Sequence, residues 1–330
     1  MTENNLEPRE ELHPAWEAIN WNNVPAFDKQ VWEKLTSNFW IDTRIPLSND
    51  VQSWNTLTEA EKLLVMRVFT GLTMLDTIQG RFGAPSLMRD STSMFEEAIF
   101  ANIGFMENVH AKSYSSIFST LATTEEINSA FRWSTENERL IKKANIVMHY
   151  YKGGADIHSV LRRKVASVLL ESFLFYSGFY LPLYLNSQAK LTNTADIIKL
   201  IIRDEGVHGY YIGAKFQEEL KKLSESEQAE FTDWVYEFLM ELYDNEIRYT
   251  QDLYDEHGLV EEVKKFLRYN ANRALQNLGL DSLFADEEIN PSIKNQLIGA
   301  GTEVGDFFSG VGANYTLSVR EDLSDDDFDF

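Results

Sequence analysis

The 330-residue sequence has no cysteine, and that absence removes disulfides, thiolate metal sites and thiol nucleophiles together. It fits a reducing compartment, and a cytoplasmic protein is the expectation. Positive charge is scarce too. Thirty Lys and Arg face 52 Asp and Glu, a formal net charge of −22 that argues against nucleic acid or an anionic membrane as partner. The opening "MTENNLEPREELHP" has neither the basic start nor the apolar run of a signal peptide. One stretch, residues 165–185, is apolar enough and long enough to span a bilayer. Glu171 interrupts it and Pro182 lies near its end, so a buried helix of a large bundle is expected instead. Six of the seven prolines (Pro8, Pro14, Pro25, Pro46, Pro85, Pro291) fall where tails or connections are expected. Only Pro182 sits in an apolar run, where a kink or helix end is expected. No stretch carries a convincing strand pattern.

Helix signals fill the chain. Capping-box spacings open segments at Thr58…Glu61, Ser93…Glu96, Thr123…Glu126 and Ser224…Glu227, each followed by 3.6-period apolar spacing. They predict long helices over 58–82, 93–122, 124–151, 157–185, 194–223 and 225–256, and a shorter one over 260–278. The expectation is one all-α domain, residues 15–290, between a loose tail at 1–14 and a flexible tail at 291–330. Five glycines (Gly299, Gly301, Gly305, Gly310, Gly312) give that second tail linker composition, and it closes on the acidic "EDLSDDDFDF".

Chemistry enters with a repeated spacing. "GFMENVHAKSY" holds Glu107 and His110, and "IIRDEGVHGYY" holds Glu205 and His208. On a helix, residues three apart share a face, so each Glu-x-x-His is a pair of potential ligands. Glu10 and His13 repeat the spacing in the polar tail and are taken as chance, whereas the other two copies lie among core-forming residues. Two further acids stand in apolar helices, Asp76 in "GLTMLDTIQG" and Glu171 in "VLLESFLFY". Asp76 precedes Glu107 by 31 residues, and Glu171 precedes Glu205 by 34. The order is one motif used twice: a lone carboxylate on one helix, a carboxylate and imidazole on the next.

Burial makes this expensive. An ionised carboxylate in an apolar interior is penalised by several kcal/mol unless opposite charge accompanies it. Lys112 and Arg203 are nearby in sequence, but their helical phase need not point inward. Two metal ions would supply the charge, and a mixed oxygen and nitrogen set suits iron or manganese rather than structural zinc. Such a ligand set belongs to dimetal carboxylate four-helix bundles. Tyr114 lies almost two turns beyond Glu107 on the same face, about 10 Å along the axis. It should stand beside the site, with Phe175, Phe179 and Ile201 as candidate walls of a dry pocket. The remaining histidines, His13, His149, His158 and His257, fit surface or helix-end positions.

At this point "GLTMLDTIQ", "FMENVHAKSYSSIFSTL", "ASVLLESFLFYSGFYLP" and "KLTNTADIIKLIIRDEGVHGYYIG" resemble the radical-bearing small (beta) subunit of class Ib ribonucleotide reductase. The resemblance runs from "AINWN" to the acidic aromatic end. It implies a ferritin-like helical homodimer with a dimetal site between four core helices. Asp76, Glu107 and His110 would hold one ion near Tyr114, Glu171, Glu205 and His208 the other, and Glu107 and Glu205 would bridge. It also implies a tyrosyl radical on Tyr114 and a relay beginning at Trp40, coupled to His110 through Asp204. Tyr315 would be the interface relay tyrosine, and the "DDDFDF" end would dock the large catalytic subunit. The ions would be two manganese or two iron, with a flavodoxin-like activator for manganese. Phe95 departs from the family pattern, in which a histidine precedes "EEA", and touches no ligand position. A stand-alone dimetal oxidase, or a helical scaffold or storage protein, would fit parts of the same pattern. Tyr114 and the docking-like tail favour the first reading.

Overall fold

In a computed structural model, residues 18–300 are described. Among them there is no strand, and the long predicted helices are present. The first helix, α1 (Ala26–Ser37), and the single turn α2 (Val51–Trp54) precede the long ones and were not predicted. Then come α3 (Glu59–Ile78), α4 (Ala84–Arg89), α5 (Met94–Leu121), α6 (Thr124–Glu136) and α7 (Glu138–Tyr151). The expected helix 124–151 is thus two. Asn137 leaves helical geometry and caps α7 with its own side chain, Oδ1 accepting the Leu140 N–H at 2.9 Å. The rest of the chain gives α8 (Ile157–Leu169), α9 (Tyr176–Ser187), α10 (Thr192–Leu220), α11 (Glu225–Tyr254), α12 (Val260–Asn277) and α13 (Pro291–Gly299).

Three of the four predicted capping boxes close in both directions, at Thr58, Thr123 and Ser224. At Ser93 only half forms. Its hydroxyl accepts the Glu96 N–H, while the Glu96 carboxylate turns to the backbone N–H and hydroxyl of Thr92. Pro182 does not end its helix, since α9 continues to Ser187. The irregularities lie elsewhere: two π-helical turns, Gln79–Gly83 after α3 and Leu170–Leu174 between α8 and α9.

The core is a bundle in which α3 packs on α5 and α9, and α10 on α5, α8 and α9, with α6, α7, α11 and α12 outside. Gly178 permits the α3–α9 approach, because a Cβ there would stand 2.6 Å from Leu72 Cδ2. The run Ile157–Ser187 is long and apolar enough to cross a membrane, yet 94% of its most apolar window is buried inside the protein. Burial against other helices accounts for its composition.

The start of α10 is capped from a distance. Leu191 takes a left-handed φ of 48°, and the preceding turn also holds Ala189 at φ 57°. Such a conformation costs a non-glycine residue roughly 1–2 kcal/mol. Asp50, buried in the segment before α2, accepts the N–H groups of Asn193 at 3.1 Å and Thr194 at 2.6 Å, and its charge faces the positive end of the α10 dipole. These bonds offset the strain and fix the helix that carries Glu205 and His208.

The expected C-terminal tail begins too early at 291. Residues 291–299 are α13, which packs on α9 through the buried Ile293 and Leu297. Pro291 at the first helical position and the Asn290 cap are start signals that linker composition further on obscured. The expected tail at 1–14, Tyr315 and the acidic end lie outside the described residues.

Candidate metal centre

Four helical segments bring the six singled-out residues together. Asp76 comes from α3, Glu107 and His110 from α5, Glu171 from the second π-turn, and Glu205 and His208 from α10. All six are fully buried. Their ligand atoms form two overlapping groups, Asp76/Glu107/His110/Glu205 and Glu107/Glu171/Glu205/His208, each with donors within 4.8 Å of one another. Glu107 and Glu205 belong to both. Each imidazole turns Nδ1 inward. His110 Nδ1 lies 2.9 Å from Glu205 Oε1, 3.8 Å from Glu107 Oε2 and 3.9 Å from Asp76 Oδ1. His208 Nδ1 lies 2.9 Å from Glu107 Oε1, 3.0 Å from Glu205 Oε2 and 3.7 Å from Glu171 Oε2.

Apart from the His208 Nδ1–Glu205 Oε2 hydrogen bond at 3.0 Å, the polar groups are not satisfied by one another. Both oxygens of Asp76 and of Glu107, one each of Glu171 and Glu205, and His110 Nδ1 are buried without a hydrogen-bond partner. Buried polar atoms are ordinarily paired, and an orphaned set pointing at one centre marks a missing partner. Among the described residues no Lys or Arg nitrogen pairs with these four carboxylates. Lys112 points outward to Asp42, and Arg203 goes to Asp204 and the Asn38 carbonyl.

Electrostatics follow from the geometry. Burial, and then the Glu107 charge, push the Asp76 and Glu171 carboxyls well above the ordinary carboxylate range. Burial would lower the two imidazoles, but the surrounding carboxylates reverse that and hold both well above the usual histidine value. Glu205 moves the other way. Burial raises it, yet His110 and the hydrogen bonds around it win and hold its carboxyl below the usual range. Without cations the cluster therefore retains protons to limit its own repulsion.

Two neighbours complete the site. Trp40 is buried, and its Nε1–H donates to Asp204 Oδ2 at 2.7 Å, while that same oxygen lies 3.3 Å from His110 Nε2. The Trp40 and His110 rings stack with centroids 5.8 Å apart. Tyr114 is fully buried beside Phe69, with ring centroids 5.6 Å apart, and its hydroxyl has no partner. Burial, then the charges of Asp76, Glu205 and Glu107, raise its phenol well above the usual value. Phe175, Phe179 and Ile201 are all fully buried, the two phenylalanine rings stacked at 5.5 Å.

A family model described as ribonucleotide reductase, small chain, matches residues 18–291. The chain belongs to the ribonucleotide reductase small-chain family. It is 60% identical, over 95% of its length and 96% of the relative's, to ribonucleoside-diphosphate reductase subunit beta nrdF2 of Mycobacterium tuberculosis. Against ribonucleoside-diphosphate reductase 2 subunit beta of Escherichia coli the identity is 52%, over 95% and 98%. Among solved structures it superposes on dimanganese(II)-NrdF of Streptococcus sanguinis with a TM-score of 0.82 and 54% identity, covering 86% of this chain and 99% of that one. The class Ib resemblance, the all-α ferritin-like fold and the activity expected from sequence are borne out. The chain is a beta subunit of ribonucleoside-diphosphate reductase, an oxidoreductase.

Sequence reasoning missed Gln79 and Tyr151. Gln79 Nε2 donates to Glu171 Oε1 at 2.5 Å, and the Tyr151 hydroxyl donates to Gln79 Oε1 at 2.5 Å. Gln79 follows Asp76 by three residues, a same-face signal that was available. Tyr151 had none, because its partner is 72 residues away.

Proposed function

We propose that this reductase small subunit holds two manganese or iron ions between Asp76, Glu107, His110, Glu171, Glu205 and His208, and keeps a radical on Tyr114. The observation that carries the assignment is the pair of donor groups sharing Glu107 and Glu205. Two divalent ions would balance four carboxylates, and bridging by two of them needs no further protein charge. Hard oxygen donors with one imidazole per ion suit manganese or iron. The dimanganese content of the S. sanguinis relative supports manganese here. When bound and oxidised, such a pair supplies an acceptor strong enough to take an electron from a phenol.

The chain's own residues do the rest. Tyr114 loses an electron and its hydroxyl proton, and its carboxylate neighbours are the nearby bases. Its buried ring, with no partner on the hydroxyl, keeps solvent reductants away from the radical. Trp40, Asp204 and His110 form a hydrogen-bonded line leading outward from the cluster, and we assign it the first relay step. Tyr315 is assigned the later step and residues 321–330 the docking of the large subunit. That partner is required, because this chain has no cysteine for nucleotide chemistry. We further infer a homodimer, a cytoplasmic location and a flavodoxin-like activator for the manganese form. Manganese-loaded chain treated with such an activator, combined with a class Ib large subunit, should reduce ribonucleoside diphosphates. Failure of the fully metallated chain to support turnover would overturn the assignment.

A further inference from the structure

Among the described residues, Glu171 is the one cluster carboxylate hydrogen-bonded to a side chain outside the proposed ligand set. Its Oε1 accepts from Gln79 Nε2, and Gln79 Oε1 accepts from Tyr151, whose hydroxyl also lies 3.0 Å from Ser167 Oγ. All four side chains are buried. Gln79 and Glu171 each lie in one of the two π-turns among the described residues. Such turns recur at functional sites because the extra residue redirects a side chain.

The Glu171 carboxylate and the Tyr151 hydroxyl together set which way the amide faces. With the Tyr151 O–H donating to Gln79 Oε1, only the NH₂ group is left for Glu171. Turned over, the amide would set its oxygen against the Glu171 oxygen once bound cations have displaced the carboxyl proton. Glu171 Oε1 is thereby occupied, while Oε2 has no hydrogen bond and lies 3.7 Å from His208 Nδ1. One oxygen faces the centre and the other is tied back. Gly83 keeps the arrangement possible, because a Cβ there would run into the Gln79 amide and stand 3.0 Å from Tyr151 Cε2.

We propose that Gln79 and Tyr151 are positioning residues that hold Glu171 as a one-oxygen ligand and so set the affinity of the Glu171/His208 site relative to the Asp76/His110 site. This rests on the dimetal assignment above. Partners that orient a ligand typically contribute 10- to 100-fold in metal affinity. Tyr151→Phe deletes one oxygen and keeps the ring, and Gln79→Met keeps length without the amide.

The test is a manganese titration of the metal-free full chain, with free Mn(II) and the spin-coupled pair followed by EPR. Wild type should fill both sites. Both variants should lose about 10- to 100-fold at one site and less than about 3-fold at the other. At one added equivalent their spectra should carry an uncoupled single-ion signal. A purely structural role would lower the melting temperature and weaken both sites alike. Equal weakening, or unchanged affinities in Tyr151→Phe, would overturn the proposal. Gly83→Ala should reproduce the selective loss by displacing Gln79 from the backbone side, and its binding like wild type would count against the proposal equally. A wild-type chain that binds no manganese or iron would instead remove the dimetal assignment itself.

Discussion

Replacing Tyr114 by phenylalanine should make the metal-free protein more stable while abolishing its radical. The Tyr114 hydroxyl is fully buried and has no hydrogen-bond partner. An unsatisfied buried hydroxyl costs about 1–3 kcal/mol, and Phe keeps the ring packed against Phe69 without it. Unfolding entropy is about 2.1 cal/mol/K per residue, or about 0.6 kcal/mol/K over the described residues 18–300. The expected gain in melting temperature is then about 2–5 °C. Calorimetry on chelator-treated wild type and Tyr114→Phe measures the shift, and EPR after metal loading and oxidation reads the radical. A variant that melts several degrees lower would mean that the hydroxyl has a partner and the cost has been misplaced. A tyrosyl signal that persists in Tyr114→Phe would refute the assignment of the radical. Stability given up at one buried oxygen is what a residue kept for function should show.

Other perturbations separate the parts. Trp40→Phe removes the donor to Asp204 at 2.7 Å, and should leave radical formation intact or slowed while impairing nucleotide reduction in the complex; full turnover would end the relay assignment. Deleting residues 321–330 should weaken binding of the large subunit, measured by surface plasmon resonance, at unchanged metal content. In the metal-free protein, Asp76, Glu171, His110 and His208 all hold protons more tightly than in the unfolded chain. Their stabilisation is complete below the unfolded values and is lost as pH rises through the raised folded ones, whereas the lowered Glu205 loses its contribution only in acid. Bound cations displace those protons, so the melting-temperature gap between loaded and metal-free protein should widen from pH 6 to pH 9. An unchanged gap would show that the protons are not there. Lys143→Met strands Glu246, its buried partner at 2.6 Å, and should cost about 3–5 kcal/mol in chemical denaturation, with much of it recovered when Glu246→Leu is added.

Much of this protein is legible in its sequence. Asp76, Glu107, His110, Glu171, Glu205 and His208 could be named because a helix turns spacing into facing, and because acids in apolar helices demand a reason. Periodicity gave the long helices, and the capping residues gave most of their starts. Spacing alone did not give Trp40 or Asp204; resemblance supplied them, because their contact spans 164 residues. Resemblance named Glu107 and Glu205 as the shared pair, but spacing could not, since sharing depends on how α3, α5, α10 and the second π-turn meet. Tertiary structure alone decided that Asp50 caps α10 from another segment, that 291–299 is a packed helix, and that Tyr151 meets Gln79, which meets Glu171. Local pattern reports the energy of a residue against its own helix. Contacts between distant segments depend on the closed bundle, and no local pattern encodes them.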